Sequence, residues 1–296
     1  MTKEEFIFQL VQYLTTYFPE EEYTIRSEII TKNNNTKHHS IIVQSHSSEV
    51  APTIYVDEFY DNYLDIKITL SEIAEEIQKF VIKFWDHIQC YHDFSLDWED
   101  CQSRIVYRLV SKDKNKEILE DIPYLPFLDL AIVFYYVYRI SDKGIESIRV
   151  TNQIQKKWEI STKTLFQLAE RNTPQIFEPK METLYDIVQN FFGNTMFPEE
   201  KIATDTYVVT NVMGINGATV LLYENYLQNL AEHLSSNLYI LPSSIHEILI
   251  VPDDTFMSLE QLKEMVKDVN KNHVLDEEIL SDCVYYYDRI EKKFIF

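Results

Sequence analysis

Apolar and polar positions follow two periods along this chain, and each period marks out elements. Phe6, Leu10, Tyr13, Leu14 and Phe18 recur at helical spacing, which predicts a helix over 2–18 that Pro19 stops. Tyr23–Thr31 and His38–Ser45 read as strands of a hairpin around a Lys-Asn-Asn-Asn turn at 32–35. Thr53–Val56 predicts a short strand, and Asp57–Leu64 a short helix rich in acids and aromatics. Ser71 is placed to cap a helix whose stripe is Ile73, Ile77, Phe80, Val81, Phe84 and Ile88. Cys90–Asp100 has no strong period. It divides the chain into a smaller N-terminal α/β unit, 1–93, and a C-terminal domain, 94–296.

In the second part, Arg104–Val110 reads as a strand, and Phe127–Arg139 as a central strand, apolar on both faces. Gly144 turns into a further strand, Ile145–Val150. Thr151-Asn152 caps a helix through Trp158, Ser161 caps one that Thr173-Pro174 ends, and Met181–Phe192 predicts a third. The last hundred residues have a regular order. Strand Tyr207–Asn211, a helix carrying Leu222, Tyr226, Leu230 and Leu234, strands Leu238–Leu241 and Ile248–Val251, a helix capped by Ser258, and strand Val284–Tyr287 follow one another. That is β-α-β-β-α-β, the ferredoxin-like order. The expected class is therefore α+β, an antiparallel sheet with helices packed on one face. Val-Thr-Asn occurs at 150–152 and 209–211, which predicts shared capping chemistry.

Composition removes several functions. The chain has 4 Gly in 296 residues, against the usual ~7%. It has no GxGxxG and no Walker loop, so the phosphate-cradling backbone of nucleotide-binding folds is missing. Net charge is −21, spread along the chain. Ile202–Leu262, for example, holds seven acids and no Lys or Arg. Direct nucleic-acid binding is disfavoured, and a basic protein is the expected partner. Cys90, Cys101 and Cys283 form no CxxC and read as reduced thiols. The start, MTKEEFIFQL, has no export signal, and the longest apolar run, Leu130–Tyr138, is too short to span a bilayer. The chain reads as cytosolic, with no membrane partner and no implied cofactor.

Asn172-Thr173-Pro174, the strand Tyr207–Asn211, the Gly217-Ala218 helix start, LYILPSSIHEILIVPDD at 238–254, LKEMVKDVN at 262–270 and LSDCVYYYD at 280–288 carry a likeness to known proteins. With FLDLAIVF at 127–134 they resemble a bacterial family of unknown function, the domain-of-unknown-function family 5688. The resemblance covers most of the chain and implies no activity, cofactor or catalytic residue. Families of this kind travel on mobile elements, which the resemblance takes to imply an interaction or inhibitor role.

Candidate chemistry concentrates in the tip Pro242–Glu247, where Ser243, Ser244, His246 and Glu247 meet. A hydrolase needs Ser bonded to His and a carboxylate orienting that His. Ser244 and His246 share a strand face, Glu247 points the other way, and no GxSxG elbow is present. The competing reading is a turn whose hydroxyls satisfy backbone groups. For metal, the eight His form no HExxH, His92-Asp93 lacks companions, and Asp253-Asp254 after a strand end fits a turn. No metal site is expected. Glu178-Pro179-Lys180 mimics a nuclease motif, but Pro does not fit the central strand that motif needs.

Acidic clusters carry the remaining idea: Asp57, Glu58, Asp61 and Asp65 at near-helical spacing, then Asp97, Glu99 and Asp100, and Asp276, Glu277 and Glu278. Such carboxylates imitate phosphates and occupy a basic groove. The expected function is a non-catalytic interaction protein, an acidic inhibitor or decoy of a basic nucleic-acid-binding protein. The alternative is a small hydrolase or metal-dependent enzyme using the Ser243–Glu247 tip.

Overall fold

The computed structural model describes residues 1–48, 51–89, 96–141, 144–192, 206–254 and 257–295. Cys90, His92 and Asp93 lie outside them. The chain is α+β and forms two compact units, one of Met1–Lys32 with Thr36–Phe94, the other of Asn33–Asn35 with Ser95–Phe296.

The first unit starts with α1 (Lys3–Thr15). Its start is held by a capping box, in which Thr2 Oγ1 accepts from Glu5 N and Thr2 N donates to the Glu5 carboxylate. β1 (Tyr23–Thr31), β2 (Lys37–Ser45) and β3 (Thr53–Tyr55) make an antiparallel sheet with β2 central. α2 (Asp57–Leu64) and α3 (Leu70–Gln89) follow. Phe6, Leu10 and Leu14 of α1, Ile41 and Val43 of β2, and Ile73, Ile77 and Val81 of α3 share one core. The cap of α3 is Thr69, not Ser71: Thr69 Oγ1 accepts from Glu72 N, and Glu72 bonds back to Thr69 N at 2.8 Å.

The second unit opens with the short α4 (Trp98–Cys101), β4 (Ile105–Ser111), α5 (Lys116–Glu120), β5 (Tyr124–Phe127), β6 (Leu130–Ser141) and β7 (Gly144–Arg149). β6 lies centrally, pairing with β4 on one edge and also with β5 and β7. Sequence places one strand over 127–139. The structure instead breaks it at Leu128 (φ 53), so that Phe127 pairs with Leu130 in a hairpin. α6 (Asn152–Lys157) and α7 (Thr162–Ile176) carry the expected Thr151 and Ser161 caps. α7 runs past Pro174, closing with Phe177 N donating to Thr173 O at 2.8 Å.

β8 (Pro179–Thr183), α8 (Leu184–Phe192), β9 (Tyr207–Asn211), α9 (Tyr226–Leu234), β10 (Leu238–Leu241), β11 (Ile248–Pro252), α10 (Leu259–Asn272), β12 (Tyr285–Asp288) and β13 (Lys293–Ile295) complete the chain. The expected helix over 222–234 is broken. A 3₁₀ turn, Gly217–Leu222, precedes α9, and Asn225 between them is left-handed at φ 57. Six strands form one antiparallel sheet in the order β13-β12-β10-β11-β9-β8.

This layout corrects the ferredoxin-like expectation in two ways. β12 pairs with β10, whereas a ferredoxin-like sheet would seat it beside β9. That edge of β9 is taken by β8, a strand the apolar pattern did not reveal. The helices also lie on both faces. Leu262 and Val266 of α10 pack on Leu241 and Val251, while Leu227, Leu230 and Ala231 of α9 join Leu238, Ile240, Ile248 and Ile250 on the other face. Alternate residues of a strand point to opposite faces, so two apolar faces require two covers.

Buried polar groups tie helix to sheet. Thr173 Oγ1 accepts from Tyr107 N at 3.1 Å and donates to Ala169 O, while Asn172 Nδ2 donates to Gln102 O and Ile105 O. The outer edge of β4 is thereby partly covered by α7 side chains. Thr173→Val keeps the volume but orphans the Tyr107 N–H, and is expected to cost about 1–3 kcal/mol in urea unfolding, with Thr173→Ser recovering most of it.

Candidate functional site

The β10–β11 hairpin carries Pro242–Glu247 at one end of the six-stranded sheet. The tip behaves as an extra strand segment. Ser244 bridges antiparallel to Ile279. Ser243 O and Pro242 O accept from Leu280 N and Ser281 N at 2.9 and 3.0 Å, and Ile245 N donates to Glu278 O. The other flank is bound to the segment after β9. Thr210 Oγ1 donates to His246 O at 2.7 Å, and Ala218 N to Ile245 O. Gly217 is required there by contact: a Cβ would strike Thr210 Oγ1 and His246 O and stand 2.8 Å from Asn211 N. Asn211 caps no helix. It closes the following loop, accepting from Met213 N and donating to Ile215 O. The two Val-Thr-Asn stretches therefore do different work, because only Thr151 precedes a helix directly.

The side chains of the tip are occupied locally. Ser244 Oγ accepts the backbone N–H of His246 at 3.0 Å, and the imidazole is not its partner. His246 Nδ1 accepts from Asn216 N at 3.3 Å, which leaves the ring proton on Nε2, 3.3 Å from Glu278 Oε1. The carboxylate that meets the histidine is thus Glu278, not Glu247. Ser243 and Ser244 are buried and Glu247 is half-buried. Burial raises the Glu247 pKa. The neighbouring Glu278 carboxylate adds to that rise.

The acidic groups divide between the units. On α2, Glu58, Asp61 and Asp65 are exposed, and Asp65 pairs with Lys67 at 2.8 Å. Asp57 is different. It accepts from Lys3 Nζ at 2.8 Å and from His39 N at 3.0 Å, with the His38 and His39 rings within 3.4 Å. Burial alone would raise its pKa, but the Lys3 bond and charge and the His39 bonds outweigh it and hold the carboxyl below its usual range. In the second unit, Asp97, Glu99, Asp100 and Asp276 are exposed, while Glu277 and Glu278 are half-buried. The carbonyls of Asp276 and Glu277 accept the side-chain amides of Asn34 and Asn33.

Two further networks join residues far apart in the chain. Asp129 accepts from Ser281 Oγ at 2.7 Å and from Tyr285 Oη. Asp253 accepts from Ser236 Oγ, Asn237 Nδ2 and Tyr286 Oη at 3.0, 2.9 and 2.6 Å. These bonds hold its pKa down against burial, so Asp253 serves as a strand-end clamp. The Tyr-rich run 285–287 was the visible signal, but its partners lie 156 and 33 residues away. Among the described residues no three His, Cys, Asp or Glu side chains gather as a metal-ligand set, and no helix is long and apolar enough to cross a membrane.

A family model matches residues 3–289, that of a family of unknown function (DUF5688). No curated protein and no solved structure matches the chain.

Two outcomes follow from the packing. Gly217→Ala is expected to lose about 2–4 kcal/mol in urea unfolding, since backbone must move to admit one methyl. Asp57→Asn is expected to destabilise by about 1–3 kcal/mol at neutral pH. A depressed folded pKa stabilises above the unfolded value and is lost as pH falls through the folded one. The gap between wild type and Asp57→Asn should therefore close in acid, below the usual 3.8 of an aspartate, in thermal melts recorded against pH.

Proposed function

We propose that this chain, which belongs to that family of unknown function, is a non-catalytic binding protein whose acidic α2 surface docks on a basic protein. The observation that carries this reading is the make-up of α2 and its exit. Glu58, Asp61 and Asp65 fall within one helical face, at spacings of three and four residues, and all are exposed. Beside them in sequence stand two exposed apolar residues, Leu64 at 50% and Ile66 at 93% exposure, with Ile66 in the left-handed region at φ 54. A row of carboxylates with an apolar anchor is the composition of a recognition surface. Charge steers the encounter and the buried side chain holds the complex. The net charge of −21 extends the attraction.

The partner class is a basic nucleic-acid-binding protein of the cytoplasm, towards which the α2 carboxylates stand in for phosphates, as an inhibitor or decoy would. The hydrolase alternative has less support, because the Ser244 hydroxyl bonds to backbone and both His246 nitrogens are engaged elsewhere.

Asp57 belongs to the fold rather than to this surface, so the informative variant leaves it intact. Full-length protein carrying Glu58→Gln, Asp61→Asn and Asp65→Asn should fold as wild type does by circular dichroism. In pull-downs from cell extract, wild type is expected to retain a basic nucleic-acid-binding protein at low salt, release it at high salt, and lose it in the triple variant. Absence of any salt-sensitive partner, or equal capture by the variant, would sink the reading.

A further inference from the structure

The β4-β6-β7 sheet has a second face, pointing away from the main core. Strand alternation puts Val106, Arg108 and Val110 of β4 there, with Ala131, Val133, Tyr135 and Val137 of β6. Across β7, Arg149 pairs with Tyr135 and Ser147 with Val137. Apolar groups cover this face at its two ends. Leu119 and Ile122 close over Ala131 and Val133, and Phe177 closes over Val106 and Val137.

The stretch between those covers is polar and cationic. The Arg108 guanidinium stacks on the Tyr135 ring, with Cζ 3.8 Å from the centroid, and its Nη2 donates to Ser147 Oγ at 2.8 Å. Arg149 stands 5.9 Å from the same centroid and donates from Nε to Tyr135 Oη at 3.1 Å. Two cations thus share one aromatic ring, and both are half-buried. Burial, and secondarily the charge of Arg149, lower the Arg108 pKa, against the opposing pull of Tyr135.

The partners they lack are the informative feature. No carboxylate or carbonyl oxygen of the described residues accepts from either guanidinium. The chain has 48 acidic residues against 27 Lys and Arg. Across β6 and β7 of the same sheet, Arg139 has its carboxylate, Glu146, at 3.0 Å. Half-burying two like charges without a counterion costs free energy that a structural role does not require. A guanidinium carries five donors in a planar fork suited to two oxygens of one group. Each arginine here commits one donor to a hydroxyl, and that bond fixes the direction of the fork.

We propose that Arg108, Arg149, Tyr135 and Ser147 form a binding site for a small-molecule oxyanion, the phosphate or carboxylate group of a ligand. The two forks hold the anion. Tyr135 orients both and offers its ring edge to whatever the anion is attached to. The site is independent of the α2 surface, since none of its residues lies there.

The test is calorimetric titration of the full-length protein with inorganic phosphate and, separately, succinate, with chloride holding ionic strength constant. At least one anion is expected to bind saturably, the two arms telling phosphate from carboxylate. Arg149→Gln should weaken that binding at least tenfold, while the α2 triple variant should match wild type. Binding to neither anion, or equal binding by Arg149→Gln, would show that the arginines only brace Tyr135 and would overturn the proposal. A second measurement needs no variant. Phenylglyoxal labelling of Arg149 in wild type, read by peptide mass spectrometry, should slow at least severalfold in the saturating anion while labelling of Arg26 does not. Unchanged labelling of Arg149 would count equally against the site.

Discussion

Strands buried on both faces lose the signal that normally sets their register, and much of the second unit depends on how this chain replaces it. When one face is wet, a slip of one residue exposes apolar groups and is penalised at once. β10 and β11 offer no such penalty: Ile240 and Ile250 face α9, and Leu241 and Val251 face α10. Polar clamps at the two ends of the hairpin supply it. At one end the Pro242–Ile245 backbone pairs with 278–281, and Thr210 holds His246 O. At the other, Asp253 gathers Ser236, Asn237 and Tyr286, while Asn237 Oδ1 accepts from Arg289 N. A slip would break both sets and leave buried hydroxyls and carbonyls without partners.

The same clamps engage the densest gathering of reactive residue types in the chain. Ser244, His246 and Glu278 are each held in one orientation by a backbone or side-chain partner. The other polar residues that carry the family resemblance behave alike. Asn172 and Thr173 join α7 to β4, and Asn270 Nδ2 ties α10 to Ser281 O and Asp282. In a chain with few glycines, side-chain amides and hydroxyls take over loop closure, and Gly217 is reserved for a place where no Cβ fits.

Charge is partitioned by burial. The carboxylates of Glu58, Asp61 and Asp65 stay in water, while Asp57, Asp129 and Asp253, all partly buried, are each surrounded by donors. Arg108 and Arg149 break this pattern, and they do so on a face whose apolar cover is interrupted.

Elements with a strong local signal were legible in the residues. β1, α2, β9 and β10 fall where periodicity places them, and the Thr151, Ser161 and Ser258 caps are formed. Period and capping depend on neighbours within a few residues, so the chain alone determines them. β8 and β13 carried too little apolar pattern to be seen, because edge strands are specified by the partner they add to. The strand order, the second cover over the sheet, the His246–Glu278 pair and the meeting of Arg108 with Arg149 were decided by tertiary structure. Each joins groups from separate strands and loops, and only burial of both sheet faces brings those groups together.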